Sequence, residues 1–235
     1  NDGGAIRFGR ALGAGLADLS GYQGHGGWAV PQGALISWAL IMRGGVQVNA
    51  QGVRFHDESA GYSEAAAAVL AQPGGVAWMV FDEPVLALAR SFPDFCAAEA
   101  AGALRSAADT AALAGVIGCD ASVLARTVAG IGAGVTDGFG RRFERALSPP
   151  WHAVKVTGAL FHTQGGLDID ASCRVRRRDG APMPNLWAAG GAARGVSGDA
   201  VWGYLSGNGL LSAVAGGYLA AQAIAASLTR TRDHR

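Results

Sequence analysis

GALFHTQGGLDID (158–170), NLWAAGGAARGVSG (185–198) and GYLSGNGLL (203–211) lie in one 54-residue stretch, 158–211, and their reading decides the fold. Three glycine clusters follow one another, with His162 and Tyr204 among them, and a long uncharged segment comes next. Glycine lets main-chain N–H groups approach a partner without a Cβ in the way. A helix that starts directly after such a loop points its positive end at whatever occupies the loop. The pattern predicts a backbone-lined site for a flat ligand, with a helix over 209–228 behind it.

Outward from this stretch, the chain reads as mixed helix and strand. Apolar spacing predicts a helix over 6–19, then a glycine-rich stretch, GYQGHGGWAVPQG (21–33). Residues 46–54 read as strand, turn and strand, with Gln51-Gly52 at the bend. An Ala-rich helix is expected over 63–72, a buried strand over 76–81, and a helix after Asp82 with Pro84 near its start. Two or three helices fill 94–135, with Asp109 and Asp120 as N-caps. Strands are expected over 151–157, 167–177 and 184–189, the last two around an Asp179-Gly180 turn. A helical middle with a little sheet between two flanks of one α/β domain implies an inserted cap.

Composition narrows the function classes. Half of the 235 residues are apolar and 16% are charged, enough for a packed interior, and a net charge of +1 speaks against a nucleic-acid surface. Cys96, Cys119 and Cys173 are widely spaced without a C-x-x-C pair. That favours free thiols in a reducing, cytoplasmic setting, with no metal site. Residues 210–228 carry no charge over a length that could span a bilayer. Their Ala and Gly content, with Ser212, Gln222 and Ser227, argues for a buried helix and no integral membrane segment. The tail TRTRDHR (229–235) is expected to fray.

The order HTQGG, AAG, SGNG resembles the C-terminal part of the FAD-dependent oxidoreductase 2 family, which holds fumarate reductases and 3-ketosteroid Δ1-dehydrogenases. VQVNAQGVRFHDES (46–59) resembles that family's cap signature, with Asn49, Gly52, Arg54, Phe55 and Glu58 on its positions. The resemblance implies a partial FAD/NAD(P)-binding domain, class α/β, over 1–30 and 148–235, with an inserted α+β cap over 31–147. It implies FAD as cofactor, with His162, Gly190, Gly191, Asn208, Gly209 and Leu210 around it. The family's strand–GxGxxG–helix is not found. GRALGAG (9–15) lies in a helix pattern and follows no strand, so the chain is expected to be the C-terminal portion of a longer flavoprotein.

Departures from the family pattern point to the substrate. Where fumarate reductases carry a carboxylate-gripping His, this chain has Phe161; where they carry a clamp Arg and a proton-donor Arg, it has Tyr204 and Tyr62. Phe and neutral Tyr cannot replace a permanently charged, bidentate Arg on a dicarboxylate. HDESAGY (56–62) instead resembles the 3-ketosteroid dehydrogenases, in which one Tyr removes a proton next to a ketone. A second Tyr, with a backbone N–H, holds the ketone oxygen there. The resemblance therefore implies Tyr62 and Tyr204 as catalytic residues, His25 and Phe161 as substrate-binding ones, and a small apolar carbonyl substrate with an unknown electron acceptor or donor. A Tyr base needs its pKa lowered by positive charge or hydrogen bonds, for which His25 and the last helix's N-terminus are candidates. Two alternatives stay open: a small unsaturated carboxylate anchored by His25 and Arg194, or a truncated chain without catalysis. Gly191 where the family has an FAD-binding Glu, and the missing ADP-binding half, favour the latter; a further departure is Gly4, with Asp2 two residues away, where the family has an FAD-contacting Asp.

Overall fold

The computed structural model describes residues 2–232, in two compact units. The flanking unit comprises Asn1–Gln23 and Phe161–Arg235, the central unit Gly24–Leu160. These divisions fall within two strands rather than at the 30/31 and 147/148 junctions expected from sequence.

The flanking unit opens with helix α1 (Gly4–Ala11) and strand β1 (Leu16–Ala17). The single helix expected over 6–19 stops early because Gly13 turns the chain at φ 83, and Leu16 then pairs with Leu167.

The chain enters the central unit along β2 (Tyr22–Ala29), a buried strand formed within the glycine-rich stretch. Its glycines are explained by close approach: a Cβ on Gly26 would lie 2.7 Å from the Cβ of Ala65. There follow β3 (Ala34–Leu35), α2 (Ala39–Met42), β4 (Val46–Val48), a 3-10 turn (Glu58–Ala60) and α3 (Tyr62–Leu70). The second strand expected at 53–54 is absent; Asn49 organises a turn instead, its Oδ1 accepting from the N–H groups of Gln51 and Val53. Next come β5 (Val76–Asp82), α4 (Glu83–Ala89), α5 (Pro93–Ala100), β6 (Leu104–Ala107), α6 (Thr110–Ile117) and α7 (Ala121–Ala129). Asp109 and Asp120 cap α6 and α7 as expected, each accepting main-chain N–H bonds.

The return strand β7 (Trp151–Thr163) is longer than expected and runs through the Gly158–His162 segment. The sheet order is β3-β2-β7-β5-β4, with β6 also on β7. Alternation sends Met79, Phe81, Val154 and Val156 to a core shared with α2 to α5, and Val80, Trp151 and Ala153 to one shared with α6 and α7.

Back in the flanking unit, β8 (Gly166–Leu167) pairs with β1, and β9 (Arg174–Arg176) pairs with β10 (Pro182–Trp187) across the Asp179-Gly180 turn. A 3-10 turn (Gly190–Ala192) packs against α8 (Asn208–Arg232). Its core is small: Ala14, Leu167, Val175, Met183, Ala188 and Ala193. The expected burial of the last helix is not found, since Leu210, Val214, Tyr218 and Leu228 are 78%, 73%, 64% and 62% exposed. Asn208–Thr229 is by length and composition sufficient to cross a membrane. Residues 233–235 of the expected tail lie outside the described residues. All three cysteines are free thiols.

Candidate functional site

In the flanking unit, the end of β7 delivers His162, Thr163 and Gln164 to a small pocket, which the 3-10 turn and the first turns of α8 complete with Gly190, Gly191, Gly209 and Ser212. Four of the six expected cofactor residues thus line one pocket. Asn208 stands behind it, 1% exposed, its Nδ2 donating to Gln164 Oε1 at 2.9 Å and to Ser197 Oγ. Leu210 is exposed and not among the lining residues.

The two glycines of HTQGG serve a purpose other than the one expected. A Cβ on Gly165 would lie 2.5 Å from the Cα of Leu19, and one on Gly166 2.4 Å from the carbonyl carbon of Ala193. They let the chain pack on itself and hold the pocket wall in place, rather than clearing space for a ligand.

The lining chemistry fits a planar, acceptor-rich group. Ser212 Oγ is buried at the pocket without a hydrogen-bond partner among the described residues, a situation native proteins avoid unless a ligand or water completes it. Nε2 of His162 lies 3.4 Å from where a Cβ on Gly209 would stand. An imidazole, a hydroxyl and the N-terminus of a 25-residue helix meet there. These are groups that can hold the flavin end of FAD. Gln164 and Ser212 escape a motif reading, although one signal is present: Ser212 lies four residues after Asn208, on the same helix face.

In the central unit the structure brings His25 and Tyr62 together. Tyr62 opens α3 directly after Gly61, whose φ of 137 few other residues adopt. Its ring stacks on His25 with centroids 5.1 Å apart and planes 22° from parallel, while Trp38 meets His25 edge-on at 5.6 Å. Nδ1 of His25 accepts the Gly27 N–H at 3.0 Å, which leaves the ring proton on Nε2. Burial pushes the His25 pKa down to about 4. At neutral pH it is uncharged, which corrects the expectation that it lends positive charge to Tyr62.

The same unit holds a buried ion network. Glu58 is fully buried and accepts from Arg54 at 2.9 and 2.5 Å, from Arg141 at 2.8 Å and from the Gln47 N–H at 2.9 Å. Arg54 also bonds Asp137. Burial would raise the Glu58 carboxyl, but the Arg54 hydrogen bond and the charges of Arg54 and Arg141 outweigh it and hold the pKa below the usual range. Arg54 and Glu58 stand out in sequence; Arg141, 83 residues beyond Glu58, does not.

The other expected residues fall elsewhere. Tyr204 is half-buried in the loop before α8, and Phe161 is 40% exposed on β7. Both belong to the flanking unit, Tyr62 and His25 to the central one. Arg194, the alternative carboxylate anchor, is already engaged by Asp18 at 2.8 Å and Asp168 at 3.1 Å.

Comparison with known proteins places this architecture. Residues 1–210 match the model of the FAD binding domain family. The fumarate reductase (cytochrome) of Shewanella frigidimarina is 30% identical over 192 residues, 79% of this chain and 33% of that protein. Among solved structures, the open conformation of a flavocytochrome c3 fumarate reductase superposes with a TM-score of 0.67 at 28% identity, over 92% of this chain and 38% of the other. The 3-ketosteroid Δ1-dehydrogenase of Sterolibacterium denitrificans, in complex with 1,4-androstadiene-3,17-dione, gives 0.71 at 25% identity, over 97% and 47%. The chain therefore spans less than half the length of each of these relatives.

Proposed function

The chain belongs to the FAD binding domain family, whose cofactor is FAD, and from that premise we propose that its protein is an oxidoreductase acting on a CH–CH bond next to a ketone. The observation that carries the reading is the stack of Tyr62 on a neutral His25. FAD, when bound, would supply the two-electron chemistry, with His162, Gly190, Gly191, Gly209 and Ser212 as the residues that would hold its flavin end. The chain's own residues handle the proton and the oxygen.

In this proposal the central unit is a substrate cap, and Tyr62 moves the proton on the carbon next to the carbonyl. Tyr204 donates a hydrogen bond from its hydroxyl to the ketone oxygen. A C–H next to a carbonyl becomes acidic only as its enolate oxygen is stabilised, and preorganised donors are an effective way to do so. His25 gives Tyr62 a flat, uncharged wall suited to an apolar ring. A separate acceptor or donor of electrons completes the cycle, in the cytoplasm.

A carboxylate substrate is the second reading, favoured by the fumarate reductase at 30% identity. Against it stand the neutral His25, the committed Arg194, and Phe161, Tyr62 and Tyr204 at positions where a clamp needs cations. Turnover of fumarate but of no cyclic enone would establish it.

Tyr62→Phe in the full-length, FAD-loaded protein tests the first reading. Loss of a general acid–base group costs about 100-fold or more in kcat, and KM should change little because the ring and its stack remain. Unchanged turnover would remove Tyr62 from the mechanism.

A further inference from the structure

We propose that Gln164 is a positioning residue that fixes His162 as the tautomer carrying its only proton on Nε2, so that the imidazole presents an N–H donor to the pocket at the start of α8. The side chain of Gln164 is enclosed, the residue being 1% exposed. Its amide bridges two neighbours: Nε2 lies 3.1 Å from His162 Nδ1, and Oε1 accepts from Asn208 Nδ2 at 2.9 Å.

The way the amide faces is set by the chain beside it. A Cβ on Gly195 would lie 2.3 Å from Gln164 Oε1, so the Gly195 backbone passes directly against that atom. A carbonyl oxygen facing the Gly195 Cα–H makes a weak favourable contact; an NH2 group there would set hydrogen against hydrogen. The Gly195 N–H also donates to the Gln164 carbonyl at 2.7 Å, which holds the two segments in register.

With the amide NH2 directed at Nδ1, that nitrogen must accept. A neutral imidazole has one N–H, so it is on Nε2. Nε2 is the nitrogen beside Gly209, and Ser212 Oγ opens onto the same pocket. The pocket is thereby committed to ligand atoms that accept hydrogen bonds. The consequence for flavin rests on the reading given above; the tautomer of His162 does not.

The test uses the full chain with 15N-labelled histidine and no added flavin. Long-range 1H–15N correlation spectra, recorded well above the pH at which free histidine titrates, identify the protonated nitrogen, with His162→Asn assigning the signal. A protonated Nε2 is expected. In Gln164→Glu the carboxylate can only accept, and the proton should move to Nδ1; in Gln164→Met, which keeps the length but neither donates nor accepts, the preference should be lost. A protonated Nδ1 in the wild-type chain overturns the proposal even if every variant misfolds, and so does an unaltered tautomer in a folded Gln164→Glu. FAD titration then separates the two readings. Loss of one donor to the ligand should weaken Kd about tenfold in Gln164→Glu, in line with one hydrogen bond. An inverted tautomer with unchanged FAD affinity would uphold the role of Gln164 and overturn the assignment of the pocket to flavin.

Discussion

His25 titrates near pH 4 in the folded chain, against 6.5 for a solvated histidine, because its ring is enclosed by the sheet, Tyr62 and Trp38. Between those two values the unfolded chain binds a proton that the folded chain excludes, so stability rises with pH across this window. The contribution is fully present above pH 6.5 and is lost as pH falls toward 4, amounting to about 3 kcal/mol over the whole interval. Glu58, Asp82 and Asp137 have pKa values below the usual carboxylate range and act at lower pH. Burial also lowers the His56 pKa, so His56 adds a contribution of the same sign below pH 6.5. Urea midpoints at intervals from pH 7.5 downward should therefore decline through this window, and His25→Phe, which keeps a ring against Tyr62, should make the decline shallower and leave the part due to His56. An equally steep profile in the variant would mean that another group is responsible. The sequence shows His25 as a pocket histidine among glycines, but not its burial: glycines are poor strand formers, and it is the close approach of Ala65 to Gly26 and of the Ile36 carbonyl to Gly27 that requires them. Tyr62 was legible through its ESAGY context, and Gln164, between the His and the glycines of a familiar motif, was not.

Among the elements, those with local signals could be read directly. Asp109 and Asp120 before Ala-rich runs mark α6 and α7, and the apolar run after Pro73-Gly74-Gly75 marks β5. The misread elements depend on distant partners. Leu16 continues a helical spacing by coincidence, but its place is set by Leu167. Arg54 leaves the strand expected at 53–54 because its guanidinium turns inward to Glu58. That carboxylate ties the Gln47 strand, the turn before α3 and the 137–143 segment together through Arg54, Arg141 and Asp137. Removing the charge while keeping the shape, as in Glu58→Gln, leaves two buried guanidiniums short of a counter-charge. Breaking a buried pair in this way costs about 3–5 kcal/mol. The urea midpoint of the variant should fall accordingly with an unchanged m-value; a loss below about 1 kcal/mol would mean that the network is solvated in solution.

For the molecule as a whole, the two ends of an FAD are not equally provided for. The pocket of His162, Gly190, Gly191, Gly209 and Ser212 offers donors suited to an isoalloxazine ring. A pyrophosphate calls for main-chain N–H groups at a glycine turn between a strand and a helix. GRALGAG is the segment nearest that pattern, and its glycines do other things. Gly9 lies in α1, where a Cβ would strike Leu167 Cδ2 at 2.2 Å; Gly13 ends the helix at φ 83; and the Gly15 N–H donates to the Arg176 carbonyl. None of the three is arranged around a phosphate. The 235-residue chain should therefore take its affinity for flavins from the ring alone. Riboflavin, FMN and FAD, titrated by quenching of flavin fluorescence, should bind within about threefold of one another, a difference well under 1 kcal/mol. Gly209→Val, which brings a side chain against His162 Nε2, should weaken all three together. A preference for FAD over riboflavin of about 100-fold, near 3 kcal/mol, would mean that these residues also hold the pyrophosphate or adenine, and would move the cofactor assignment beyond the pocket described.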